Sequence, residues 1–118
     1  MDVYQAFFSL KPGTKDLDFV ADLTRMMDHL VESKKIEGWR LLRSKLGLTP
    51  TKALGGEFQL LIETRNMAQL DAAFAIAAKR SGEMEVMQFG VNSKIEDITF
   101  ARYRDFHDPV RQTGEELF

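Results

Sequence analysis

The sequence predicts an α+β domain on a four-stranded antiparallel sheet, and three observations carry that prediction. Four short runs show strand-like alternation or β-rich composition, and two longer stretches repeat apolar residues at helical spacing. They follow one another as strand, helix, strand, strand, helix, strand.

Val3 to Leu10, VYQAFFSL, is the first strand, ended by Lys11-Pro12-Gly13. Aromatic residues fall on both alternating sets, so both faces should be covered. Thr14 or Asp16 can cap a helix from Lys15 to Ser33, in which Val20, Leu23, Met27, Leu30 and Val31 form the apolar stripe with Phe19 and Met26 on its flank. Lys34-Lys35 suits its C-terminal end. Ile36 to Leu46 is the second strand and holds the only tryptophan, Trp39, with Arg40, Arg43 and Lys45. Residues 47–56, GLTPTKALGG, lack periodicity and read as a loop with Gly55-Gly56 its flexible point.

Glu57 to Thr64, EFQLLIET, is the third strand. Asn66 caps a second helix striped by Met67, Leu70, Ala73, Phe74 and Ala77. Gly82 interrupts it, and Glu83 to Val91 reads as a further short helix. Ile98 to Phe106, ITFARYRDF, is the fourth strand, closed by His107-Asp108-Pro109. Residues 1–109 are thus expected to form one domain and Val110 to Phe118 a charged tail.

A chain of 118 residues fits a single core. Its net charge of −2, from 16 basic and 18 acidic residues, gives no overall pull toward nucleic acid or an anionic membrane. There is no cysteine, hence no disulfide, thiolate nucleophile or cysteine-bound metal. The first residues lack the basic start and apolar core of a signal peptide, and no apolar run reaches the roughly 20 residues of a membrane span. A cytoplasmic protein is expected.

The order β-α-β-β-α-β is the ferredoxin-like split motif, with the first and third strands central and the helices on one face. The other face is not polar. Phe7 opposes Phe8, Leu41 opposes Leu42, and Leu61 lies between Leu60 and Ile62, so large apolar groups point away from the helices in any register. Each leaves about 1.5–3 kcal/mol of burial unclaimed if solvated. A homodimer packed sheet against sheet is expected.

The runs IEGWRLLRSKLGL, GEFQLLIE, LDAAF, FGVNS and FARYRDFHDPVR resemble a bacterial family of uncharacterised domains within the dimeric α+β barrel superfamily. The resemblance implies sheets paired face to face and supplies no catalytic residues. Its superfamily includes cofactor-free monooxygenases, haem-degrading enzymes, muconolactone isomerases and stress-induced proteins. It therefore implies a homodimeric small-molecule-binding or structural protein, with a cofactor-independent monooxygenase or isomerase acting on a small apolar acid or enol as the alternative.

The candidate pocket comprises Trp39, Arg40, Arg43, Tyr103 and His107. Arginine clamps a carboxylate or enolate, an indole supplies an apolar wall, and an imidazole is the natural base near neutral pH. The competing reading has Trp39 in the core, the arginines paired with Glu37, Glu57 or Glu63, and His107 in an ordinary turn. Tyr4 and Tyr103 could donate to a substrate oxygen, and the methionines could line an apolar pocket between helices and sheet, against simple core filling. No metal-ligand spacing, phosphate loop or nucleophile elbow is present, so no cofactor is expected; any ligand would be small and apolar or anionic. An enzyme should enclose at least about 300 Å³ with two or more of the five polar candidates converging in it.

Overall fold

The sheet is assembled around β1 (Asp2–Leu10), which pairs antiparallel with both β3 (Phe58–Thr64) and β4 (Ile95–Arg104), while β2 (Gly38–Arg43) adds to the outer edge of β3. The order is β2-β3-β1-β4, with the first and third strands central as expected. This is a computed structural model, and it describes residues 1–45, 56–78 and 82–106. Three helices complete it: α1 (Asp16–Glu32), α2 (Met67–Ala78) and α3 (Gly82–Asn92). Gly82, at φ +78°, opens α3, in keeping with the expected break. His107 and the tail Val110 to Phe118 lie outside the described residues.

Paired residues share a face, so the register separates the sheet's two surfaces. Trp39, Leu41 and Arg43 of β2 lie in line with Ile62, Leu60 and Phe58 of β3, then with Tyr4, Ala6 and Phe8 of β1. This face meets the helices: Ala6, Phe8, Phe58 and Leu60 are buried in one cluster with Phe19, Leu23, Met26 and Met27 of α1 and Met87 and Val91 of α3, and Ala73 and Ile76 of α2 pack against it. The opposite face carries Arg40 and Leu42, Gln59, Leu61 and Glu63, Val3, Gln5 and Phe7, and Thr99, Ala101 and Tyr103. It has no helix over it, and its apolar residues remain partly or largely exposed.

Three details differ from the sequence reading. Neither Thr14 nor Asp16 caps α1; Lys15 holds the cap position without a side-chain bond, because Asp16 lies inside the helix and accepts from Arg43 at 3.0 Å. The strand expected over Ile36 to Leu46 is regular only from Gly38 to Arg43, with one ladder bond beyond each end, Glu37 N–H to Glu63 O and Ser44 N–H to Glu57 O, both 2.8 Å. β4 begins at Ile95 rather than Ile98. Its register with β1 shifts between Phe7 and Ser9, where Asp97 adopts φ +54°. The extra residue puts Ile95 and Ile98 out of phase with simple alternation.

Helix ends follow local chemistry. The Asn66 side chain accepts the Gln69 N–H at 3.0 Å, as the capping expectation requires. At the end of α1, Lys35 N–H bonds Leu30 O (2.9 Å) and Lys34 N–H bonds Val31 O (3.0 Å), a Schellman closure with Lys34 at φ +60° in the place glycine usually takes. Among the described residues no helix is long and apolar enough to cross a membrane.

α1 and α3 are tied by the Lys94 ammonium, which meets Asp22 at 2.6 Å and donates to Gly90 O at 2.9 Å. The hydrogen bond from Lys94 holds the Asp22 carboxyl below its usual pKa, outweighing the upward push of desolvation. A folded pKa below the unfolded value of about 3.9 gives stability that is present above that value and lost as pH falls through the folded one. Asp22→Asn is therefore expected to lose about 1 kcal/mol at pH 7. In urea titrations the gap to the unaltered protein should narrow at pH 3; an equal gap at both pH values would show that the charge is not its source.

Candidate ligand-binding site

Between the helices and the sheet lies an apolar cavity of about 180 Å³. Leu23, Met26 and Met27 of α1, Leu70 and Phe74 of α2, and Ile98 and Phe100 of β4 contribute to its walls. Met26 and Met27 both line the cavity and belong to the buried core cluster, which also holds Met87. The polar residues in its lining are Tyr4 and, on α3, Gln88 and Asn92.

The sheet positions Tyr4. It projects from central β1, paired with Ile62 on one side and Arg102 on the other. Its ring stacks on Phe100 at 5.3 Å and meets Phe74 edge-on at 5.1 Å. Burial pushes the phenol above its ordinary pKa, against the opposing pull of the Arg102 charge. At neutral pH Tyr4 is a proton donor, not a base. Phe74 and Phe100 are 43% and 56% exposed, so this aromatic group forms a rim at the surface.

The five predicted residues are distributed differently. Trp39 is on the helix face of edge strand β2, with its indole N–H donating to Asp28 at 3.1 Å. Arg43 is on the same face, bonded to Glu57 and Asp16 at 3.0 Å each and lying 5.1 Å over the Phe58 ring. It borders an open cleft of about 650 Å³ at the start of α1, already neutralised by those carboxylates. Arg40 points to the uncovered face of β2 and Tyr103 to that face of β4, at opposite edges of the sheet. Three interstrand steps of about 4.8 Å separate those edges. Tyr103 also borders an open groove of about 640 Å³ with Asp2, Leu70 and Arg102. His107 lies outside the described residues.

None of Trp39, Arg40, Arg43 and Tyr103 lines the apolar cavity. The convergence expected of an enzyme, two of the five in an enclosure of at least about 300 Å³, is not found among the described residues. Gln88, Asn92 and Phe100 were not singled out from the sequence. The available signal was the i, i+4 spacing of Gln88 and Asn92 beside Met87 and Val91, which places an amide pair on the shoulder of a buried helix face. Among the described residues no group of three or more histidine, aspartate or glutamate side chains could hold a metal.

One sheet, one helical layer and an unclad face define a ferredoxin-like α+β domain. The chain belongs to a family of unknown function, DUF6614, whose model matches residues 1–118. Among curated proteins none matches it. Its fold is similar to that of At3g17210 from Arabidopsis thaliana (8% identity, TM-score 0.68, covering 89% of this chain and 95% of that one). It is also similar to SnoaB, a cofactor-independent oxygenase from Streptomyces nogalater (7% identity, TM-score 0.67, 93% and 97% covered). A dimeric ferredoxin-like protein of unknown function from Bacteroides fragilis is a further neighbour (11% identity, TM-score 0.58, 88% and 95% covered). At such identities the likeness is one of fold.

Proposed function

We propose that this protein is a homodimeric binder of a small, largely apolar molecule, held in the cavity under α1, α2 and α3. The cavity with its Tyr4–Phe74–Phe100 rim carries the reading: an apolar space with a few directed polar groups is the usual form of a small-ligand site. Flat aromatic compounds with a hydroxyl or carbonyl group suit it, the ring sliding among the three aromatics and the oxygen facing the phenol. The probe is 2-naphthol, followed by its own fluorescence. Saturable one-site binding is expected, weakened several-fold by Tyr4→Phe, which keeps the stacking and removes the donor. Absence of saturable binding to the unaltered protein would overturn the reading.

The dimer uses the uncovered sheet face. Phe7, Leu42, Leu61 and Tyr103 stand on it, and the ferredoxin-like neighbours that are dimeric support a homodimer. Light scattering at micromolar concentration should give twice the chain mass, and Leu61→Glu should give one chain mass with the fold intact by circular dichroism. A monomeric unaltered protein would remove this part of the proposal.

A second reading, a cofactor-independent oxygenase or isomerase, is favoured by one observation: a protonated phenol at the cavity can stabilise a developing enolate. Oxygen consumption with 2-tetralone, lost in Tyr4→Phe, is its test.

A further inference from the structure

We propose that the ligand of this cavity is a carboxylate, its apolar body held at the Tyr4–Phe74–Phe100 rim and its acid group by Arg102. The inference rests on the cavity reading and adds the ligand's charge.

Arg102 is the direct cross-strand partner of Tyr4, so both side chains leave the sheet on the helix side. Two carboxylates at this end of the sheet are already engaged, and Glu63 stands on the opposite face. Asp2 is buried and accepts from Arg104 at 2.6 and 3.1 Å, and Asp105 faces the terminal amine of Met1 at 3.4 Å. Among the described residues Arg102 has no ion-pair partner and donates no hydrogen bond, whereas Arg25, Arg43 and Arg65 each pair with an acid. The guanidinium therefore stands with its five donors unused beside an aromatic rim.

Its position makes that charge usable. Leu70 lies in the wall of the apolar cavity and also in that of the open groove bordered by Arg102. One molecule can thus place rings in the cavity and an anionic end in the groove. A guanidinium binds a carboxylate through two parallel hydrogen bonds, which a hydroxyl cannot reproduce. A net charge of −2 repels anions in general, so preference for an acid must come from a local cation.

The test compares 2-naphthoate with 2-naphthol on the full chain at pH 7. Naphthoate should bind about tenfold more tightly. Arg102→Gln should bring it down to the naphthol level while naphthol affinity stays within about twofold, Arg102→Lys should retain part of the preference, and Arg40→Gln on the other face should change neither. If naphthol binds but naphthoate binds no better, or if Arg102→Gln leaves the preference intact, the carboxylate assignment is wrong and the cavity reading stands. If neither compound binds, the cavity reading fails and this inference with it.

Discussion

Phe19→Ala is expected to destabilise the protein by about 3–5 kcal/mol, the range for truncating a buried phenylalanine. Phe19 has no exposed surface and sits where α1 meets the two central strands. Its ring lies 5.5 Å from Phe8 and 5.7 Å from Phe58, whose rings are 5.8 Å apart. Removing one ring of three leaves a void that neither strand can close, because Phe8 and Phe58 are paired in the backbone ladder. A domain of this size has about 5–15 kcal/mol in all, so the variant should melt far below the unaltered protein. Urea unfolding should show a lowered midpoint at unchanged slope. Leu17→Ala, two residues earlier and 78% exposed, should stay within about 0.5 kcal/mol. A loss below about 1 kcal/mol for Phe19→Ala would mean that the core can repack around the void.

The contrast between these two positions shows where sequence periodicity is sharp and where it blurs. That α1 is amphipathic follows from Leu23, Met27 and Leu30, but the stripe centred on Val20, Leu23 and Met27 is slightly rotated from the one that packs. Phe19, Leu23, Met26 and Met27 are buried, whereas Val20, Leu30 and Val31 are partly so. Period alone places a helix face to within about one residue, and the ring stack with Phe8 and Phe58 decides the rest. The sheet order was legible in the succession β-α-β-β-α-β, and the apolar second face in Phe7/Phe8 and Leu41/Leu42, which put bulk on both alternating sets. The site was less so. Trp39 and Arg40 are adjacent in sequence, and a strand sends adjacent residues to opposite faces, so the tryptophan and arginine that looked like one pocket are separated by the sheet itself. Arg43 was expected either to clamp a ligand or to pair with neighbouring carboxylates. It pairs with Glu57, as that second reading had it, and also with Asp16. The residues that do converge come from β1, α2, α3 and β4, and across β4 the phase is altered at Asp97, which no alternation count reveals.

Glycine 56 supplies the other large expected effect, and it reverses the role suggested for it as a flexible loop point. An added Cβ there would stand 2.6 Å from the carbonyl oxygen of Phe8, 2.7 Å from its carbon and 2.9 Å from its nitrogen. The obstacle is backbone in the central strand, which no rotamer change can move. The chain passes close to β1 just before β3 begins, and the neighbouring Glu57 N–H reaches Ser9 Oγ at 3.3 Å. Gly56→Ala must therefore push β1 from the start of β3 at the Phe8–Phe58 pair, with an expected loss of about 3 kcal/mol, the upper end of overpacking costs. Because Phe8 also lines the cavity, naphthol binding should weaken in the fraction that remains folded. Gly90→Ala has the opposite expected sign: its Cβ would meet Asp22 at 3.6 Å, an ordinary contact, inside a helix. Alanine there should gain about 0.5–1 kcal/mol by restricting the unfolded chain. Thermal melts of the two variants should thus move in opposite directions. A Gly56→Ala protein as stable as the unaltered one would show that the approach of residue 56 to β1 is not required by the fold.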